Sequence, residues 1–537
     1  MSLVKNVGTI GGLTAVSRVF GFIRDMLFAR LFGAGLAADA FQLAFTLPNT
    51  FRRLFAEGAF SVAFVPMYGG KLHGAGSEEQ REREAGVFAN DVLSVFVWVL
   101  LAFSLLCILA MHGIVWLLAR DYAAVPGKFE LSVTLARITF PYLGLVSVVA
   151  LLSGMLNTRS RFGPGALAPV LFNFALIGGL LWGWFFDYSD RLKAFAQSWA
   201  LPVAGILQLV YLLISLRRAG VGLKLHLPRM TPDTKVLLWR IFPATFGAGI
   251  YQISQLADTF FATSLPQGSL TLLKMADRLN QMPLGIVGIA LGTAILPALS
   301  RHIAGGDPQG AAQLQGRAIE LATLLTLPAA AALAVCAPAF VHAFFVGGKF
   351  TAADGAIMMQ IVVALVCGLP SYVLVKVLEP GYFSRGDTRT PVITAGTALC
   401  FNIFLNLAVV RPWGIVGLAA ATACSASLNC VLLYGNLHRR AHFRFSLALL
   451  SRIVRQALAS AVMAAVLWFL LKATMPWYSG SVAQKGGGIV LLVAVGLAVF
   501  FAAAWLLGAI DKDAIAQLRP GKRRATPVTA SEIERNG

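Results

Sequence analysis

The chain has 537 residues, 58% of them hydrophobic and 13% charged, with a mean hydropathy of +0.75. Soluble domains hold about 45–50% apolar and about 25% charged residues, so a water-soluble globular fold is excluded. The formal charge of +20 does not indicate nucleic acid, because the basic residues sit in short loops between apolar runs and not on one soluble face.

Crossing a hydrocarbon core takes about 20 mostly apolar residues per helix. Such runs predict membrane helices over 7–32, 38–70, 87–118, 131–157, 165–186, 194–216, 235–263, 268–300, 317–347, 354–383, 389–410, 413–437, 452–472 and 486–510. The fold class is therefore an all-α polytopic membrane protein of about fourteen helices. The alternating segments of about ten residues that mark an outer-membrane barrel do not dominate. Pro48, Pro66, Pro141, Pro283 and Pro370 fall inside predicted helices. Membrane helices tolerate such breaks where neighbours or a watery cavity satisfy the freed backbone groups. The first run carries Arg18 and Arg24 and lacks a cleavage site, so it does not read as a signal peptide. Six cysteines lie in apolar segments without metal-ligand spacing and read as small core residues.

Lys and Arg are unevenly shared between alternate loops. One set of loops, both termini included, holds 27. The other holds about 8, which by the positive-inside rule predicts cytoplasmic termini and an even number of helices. A weak internal repeat matches Pro141, Gly154, Pro164 and Asn173 with Pro370, Gly381, Pro391 and Asn402. Its offset of about 230 residues spans six helices, which predicts two parallel lobes, as in transporters. The expected organisation is an N-lobe at 1–217, a C-lobe at 218–438, two further helices at 439–511 and a cytoplasmic tail at 512–537.

Charges inside membrane helices cost several kcal/mol, roughly 3 at the helix centre on insertion scales. The first helix nevertheless holds Arg18, Arg24 and Asp25, and the second holds Asp39, Arg52, Arg53 and Glu57. The eighth holds Lys274, Asp277 and Arg278, and the tenth Lys376 and Glu379. Arg53 with Glu57, Lys274 with Asp277, and Lys376 with Glu379 have the spacing of helical ion pairs. Arg30, near a helix end, has the position of a snorkelling side chain. Arg18, Arg24, Arg52 and Arg278 have no such explanation. Arginines outnumber acids in the first two helices, and an unpaired buried charge is too costly to leave idle. A planar guanidinium that stays charged matches a phosphate or diphosphate. No P-loop, Gly-x-Ser-x-Gly or His-Glu-x-x-His sequence is present. The expectation is a transporter and not an enzyme, one that draws on an ion gradient, the membrane potential or downstream consumption of its substrate.

The run from Ser17 to Asp25, with Phe32-Gly33-Ala34-Gly35, Ala38-Asp39-Ala40-Phe41, Leu47-Pro48-Asn49 and Arg52 to Ser61, resembles the MurJ (MviN) lipid II flippases. Ala276-Asp277-Arg278-Leu279, Leu291-Gly292-Thr293 and Pro380 to Arg385 continue the match. The resemblance implies a member of the MOP exporter superfamily with a cationic central cavity, in the bacterial inner membrane. It implies substrate-binding roles for Arg18, Arg24, Arg52, Arg278 and Asp39, with Asp25, Arg53 and Glu57 in gating or ion pairing. The implied substrate is lipid II, an undecaprenyl-diphosphate-linked disaccharide-pentapeptide, with its tail in a groove lined by the last two helices. Membrane lipids and cell-wall synthesis proteins are the other expected partners, and nucleic acid is not. Some relatives resemble sodium-coupled carriers, and the matching positions are Asp258, Asn402, Asn406 and Thr422. An oxygen-only set suits a hard cation such as Na+. With a single carboxylate, the same four residues equally suit a polar cluster tying three helices together. An exporter of another polyprenyl-linked glycan and a non-transporting membrane scaffold remain as alternative readings.

Overall fold

The computed structural model describes the backbone of residues 3–53 and 59–509. Side chains are described over the same ranges except at 3–10, 59–62, 242–248, 286, 289, 290 and 293. The helices are α1 (Leu3–Phe32), α2 (Leu36–Arg52), α3 (Ala59–Leu72), α4 (Glu78–Leu109), α5 (Met111–Ala119), α6 (Lys128–Thr139), α7 (Tyr142–Thr158), α8 (Gly163–Phe185) and α9 (Asp190–Arg217). They continue as α10 (Pro232–Thr263), α11 (Ser269–Pro283), α12 (Ile289–Ala304), α13 (Pro308–Phe344), α14 (Ala352–Cys367), α15 (Leu369–Phe383), α16 (Arg389–Arg439), α17 (Leu447–Thr474) and α18 (Val482–Leu506).

Local sequence explains the boundaries. Ser77, Ser189, Thr231, Thr351, Ser446 and Ser481 each cap a helix by accepting a hydrogen bond from the backbone N–H three residues on. Pro283 ends α11, and a π-helical turn over Leu284–Gly288 leads into α12. Inside α16 the chain breaks at Gly414, whose φ of 56° and ψ of −138° only glycine adopts readily. That break separates the predicted helices 389–410 and 413–437. The segments related by the predicted repeat are interrupted at matching places, with α6 and α7 parting at Pro141 and α14 and α15 at Gly368 before Pro370.

Among the described residues, nine helical stretches are long and apolar enough to cross a membrane. One of them, Arg389–Arg439, contains two predicted segments, so length and composition account for ten of the fourteen. The other four, 7–32, 38–70, 235–263 and 268–300, carry mid-helix charge or interruptions. These four also line the central cavity described below.

Helix α1 packs along α8, α8 along α9, and α2 against α6 and α9. In the second half α13 packs on α14, α15 and α17, while α16 packs on α10, α14 and α15. Helices α17 and α18 pack on each other and on α13. The outward faces of α4, α8, α9, α17 and α18 expose large apolar side chains such as Leu106, Phe185, Trp199, Phe469 and Leu506. Such a surface is stable against lipid and not against water. Cys367, Cys400 and Cys424 are also exposed, which corrects the expectation that all six cysteines are core residues; Cys107 and Cys336 are buried. The expected tail at 512–537 lies outside the described residues.

Candidate substrate cavity

Loops near residues 33–35, 120–127, 264–268 and 345–351 meet at one end of the molecule, here end B. Loops near 73–77, 159–162, 218–231 and 384–388 form the opposite end, end A. Between them, α1, α2, α10 and α11 with faces of α7, α8 and α9 enclose two adjoining compartments. The larger has a volume of about 620 Å³ and runs toward end A as far as Ser153, Gly165 and Gln208. The smaller, about 80 Å³, lies toward end B and is lined by Gln42, Thr46, Gln197, Gln252, Gln255 and Lys274. Arg24, Asp25, Asn49, Arg53, Arg278 and Gln281 line both.

At the junction Asp25 is shared by two arginines. Arg24 donates from Nε and Nη2 to Asp25 Oδ1 at 3.1 and 2.7 Å. Arg278, from the second half of the chain, reaches Asp25 Oδ2 at 3.2 Å. The third direction of the Arg24 fork goes to Asn173 Oδ1 at 3.1 Å, and Asn173 in turn donates to the Ser17 and Pro169 carbonyls. The α8 side chain thus orients the α1 guanidinium. Among the described residues Arg18 donates only to a neutral group, the Gly285 carbonyl at 3.3 Å. Two guanidinium groups therefore share one carboxylate, and Arg18 lines the larger compartment beside them.

Arg52 lines the larger compartment and donates to Asn49 Oδ1 at 3.0 and 3.2 Å. Arg53 lines both compartments, and Glu57, its expected partner, lies outside the described residues. The Lys376–Glu379 pair forms, at 3.1 Å. The Lys274–Asp277 pair does not: Asp277 accepts from Gln281 instead, and Lys274 has no ion pair among the described residues. Arg30 donates to the Ala343 carbonyl at 3.0 Å.

Asp39, expected in substrate binding, does not line either compartment. It is buried at end B with 1% exposure. Lys128 Nζ donates to it at 2.9 Å, the Gly268 backbone N–H at 2.7 Å, and Thr271 through both N–H and Oγ1 at 3.1 and 2.7 Å. Asp39 therefore caps the start of α11, joining the two halves where the helix dipole favours an anion. Gly268 makes this approach possible: its φ is +92°, and a Cβ there would sit 2.4 Å from the Ala34 carbonyl. Thr263 donating to the Leu118 carbonyl, Lys349 N–H to the Arg30 carbonyl and Lys349 to Asp190 complete the closure of end B.

The four residues expected to hold sodium do come together. Asn406 Nδ2 donates to Asn402 Oδ1 at 2.8 Å, and Thr422 Oγ1 lies 3.5 Å from Asp258 Oδ2. Asp258, Asn402 and Asn406 are buried, and Asp258 Oδ1 and Asn406 Oδ1 receive no hydrogen bond from the described residues. Two orphaned, buried oxygens beside a hydroxyl fit a hard cation.

A cationic cavity between two halves of a helical membrane protein narrows the field to transporters, and the comparison of sequences decides among them. The family profile described as "Lipid II flippase MurJ" matches residues 28–486. The chain belongs to the MurJ lipid II flippase family. A relative from Rhizobium meliloti, "Probable lipid II flippase MurJ", is 39% identical over 100% of this chain and 98% of its own. "Lipid II flippase MurJ" from Burkholderia cenocepacia is 33% identical over 95% and 98%. The solved structure "Lipid II flippase MurJ, inward closed conformation" has a TM-score of 0.75 at 22% identity, covering 95% of this chain and 99% of that one. An inward-facing MATE family transporter of the MOP superfamily has a TM-score of 0.65 at 13% identity, covering 79% and 95%. These likenesses show that the MurJ and MATE structures share this fold.

Sequence reading alone missed Asn173, Lys128 and Gln197. Asn173 is a repeat position whose partner could not be read from the chain. Lys128 looked like an ordinary loop charge, because nothing local signals that it is buried.

Proposed function

We propose that this chain translocates lipid II across the inner membrane, from the cytoplasmic to the periplasmic leaflet, by alternating access. The observation that carries this reading is the meeting of Arg24 and Arg278, from opposite halves of the chain, on a single carboxylate, Asp25, in a cavity that Arg18, Arg52 and Arg53 also line. The surplus positive charge calls for an anionic ligand, and a diphosphate accepts several guanidinium forks at once. The diphosphate competes with Asp25 for Arg278. Because Arg278 sits in the second half of the chain and Asp25 in the first, that exchange loosens one link between them. The head group enters from end A, which the positive-inside rule places in the cytoplasm. Release requires end B to open, so the Asp39 cap on α11 must break. The undecaprenyl tail stays in lipid beside α17 and α18 throughout.

A sodium ion, where used, would be held by Asp258, Asn402, Asn406 and Thr422. Bound there, it would supply the positive charge that compensates Asp258 and would tie α10 to both halves of α16.

The test is complementation of a flippase-depleted strain. Arg24→Ala and Arg278→Ala should each reach the membrane and fail to support growth. Full complementation by both would overturn the arginine–diphosphate mechanism.

A further inference from the structure

The connection between α9 and α10, which joins the two halves of the chain, is fastened along the outside of α4. Its first part, Val221 and Leu223, packs into the core between α3, α4, α7 and α9. The Lys224 backbone N–H then donates to Asn90 Oδ1 at 2.9 Å, and the His226 N–H to Ser94 Oγ at 3.1 Å. Trp98 Nε1 donates back to the His226 carbonyl at 3.2 Å, and His226 Nε2 lies 3.1 Å from Asp91 Oδ1. The registers match because two residues of extended chain advance about 6.6 Å and four residues of helix about 6 Å. Helix α4 starts at end A, so the connection descends beside it toward the membrane before returning to α10.

Beside it, α4 exposes Val87, Trp98 and Val99, and α4 lines neither cavity compartment, so this face meets lipid. Leu225, Leu227 and Met230 are 58, 73 and 56% exposed on the connection. Large apolar side chains gathered in this way mark a surface that something apolar covers. At membrane depth the backbone needs partners, and Asn90, Ser94 and Trp98 supply them. Lys224 and Arg229 flank the apolar side chains, both exposed and without an ion pair among the described residues. The neighbouring acids are occupied: Asp91 faces His226, and Asp233 pairs with Lys71 at 2.8 Å. An apolar wedge with uncompensated positive charge on both sides therefore sits at end A. The positive-inside rule places that end at the cytoplasmic leaflet, whose anionic headgroups attract such segments.

We infer that residues 224–230 form a binding site for an anionic phospholipid of the cytoplasmic leaflet. Lys224 and Arg229 pair with the headgroup, while Leu225, Leu227 and Met230 enter the acyl region. The occupant is a bulk membrane lipid and not the transported substrate, so the site is independent of the lipid II reading. Because this connection joins the halves and α10 lines the cavity, a lipid held here fixes the start of α10 against α4.

The test is amide hydrogen exchange over residues 221–231 of the full-length protein in nanodiscs. Three lipid compositions are compared: phosphatidylcholine alone, phosphatidylcholine with phosphatidylglycerol, and phosphatidylcholine with undecaprenyl diphosphate. Phosphatidylglycerol should slow exchange of this segment by about 30-fold, the worth of two basic residues at an anionic surface. Lys224→Gln with Arg229→Gln should abolish that slowing, and Lys224→Arg, which keeps the charge, should retain it. Exchange within α4 should be the same in all variants, since the substituted side chains are exposed. Leu225→Ser with Leu227→Ser should speed exchange of the segment in all three compositions. Equal exchange with and without phosphatidylglycerol, or full slowing in the double glutamine variant, would overturn the site. Slowing by undecaprenyl diphosphate and not by phosphatidylglycerol would overturn it too, and would assign the segment to the substrate.

Discussion

Arg278 of α11 reaches across the cavity to Asp25 of α1, with Nε 3.2 Å from Oδ2. The same carboxylate holds Arg24 at 2.7 Å through its other oxygen, so one acid organises two cationic side chains from opposite halves of the chain. Asp25 keeps the arginines splayed and positioned while no anion is bound, and its loss should be felt differently from theirs. Arg278→Ala should lower affinity for undecaprenyl diphosphate by about 10- to 100-fold, the range for one or two charge-assisted hydrogen bonds. Asp25→Asn should bind the same lipid as tightly or more tightly yet transport it poorly, because the competing anion that returns Arg278 is gone. Binding measured alongside translocation separates the two outcomes.

At end B the Asp39–Lys128 pair is buried on both sides, each side chain at 2% exposure. Removing one partner of such a pair leaves an uncompensated charge, at a cost of about 3–5 kcal/mol. Asp39→Ala should therefore destabilise the closed end and raise the labelling of a cysteine placed at Ala34. Lys128→Met in the same background should recover part of the stability. Gly268→Ala should act in the same direction, through the clash with the Ala34 carbonyl and the positive φ. Labelling equal to that of the natural protein in all three would contradict the lock.

Much of this was legible in the chain, and the exceptions have a physical reason. Helix positions follow from apolar run length, which is local. The cavity arginines stood out because charge is expensive wherever it falls in a membrane helix. Asp39 was assigned to substrate binding by resemblance, but its partners, Gly268 and Thr271, are more than two hundred residues away in sequence. Only the fold brings the start of α11 against the start of α2. Lys274 and Asp277 were paired by spacing, and the structure gives Asp277 to Gln281 because that amide, one turn on, competes for the same carboxylate. Spacing states which contacts a helix allows; tertiary packing chooses among them.

If Asp258, Asn402, Asn406 and Thr422 hold sodium, the ion stabilises the folded protein by mass action. At about 100 times the dissociation constant the gain is about 2.7 kcal/mol. Unfolding temperature should rise with sodium chloride and not with choline chloride, and Asp258→Asn should abolish the difference. Identical curves in both salts would leave these residues as a polar tie between α10 and α16.

Asp387, in the loop before α16, provides a pH-dependent contribution. Burial raises its pKa, but the Thr390 side chain and backbone N–H and the Arg440 guanidinium outweigh burial and hold it at about 2. A depressed carboxylate stabilises the fold above its unfolded pKa of about 3.9 and loses that contribution as pH falls toward 2. Asp387→Asn should thus lower the unfolding temperature by a constant amount above about pH 4, with the gap closing below it. A gap that instead widened on acidification would contradict the pairing.

The most direct measurement is lipid II exposure on the periplasmic face of cells depleted of this protein. Exposure should fall, lipid II should accumulate inside, and lysis should follow, with rescue by the natural chain and not by Arg278→Ala. Unchanged exposure in a strain without a second flippase would contradict the lipid II assignment and point to another lipid-linked substrate or a scaffold.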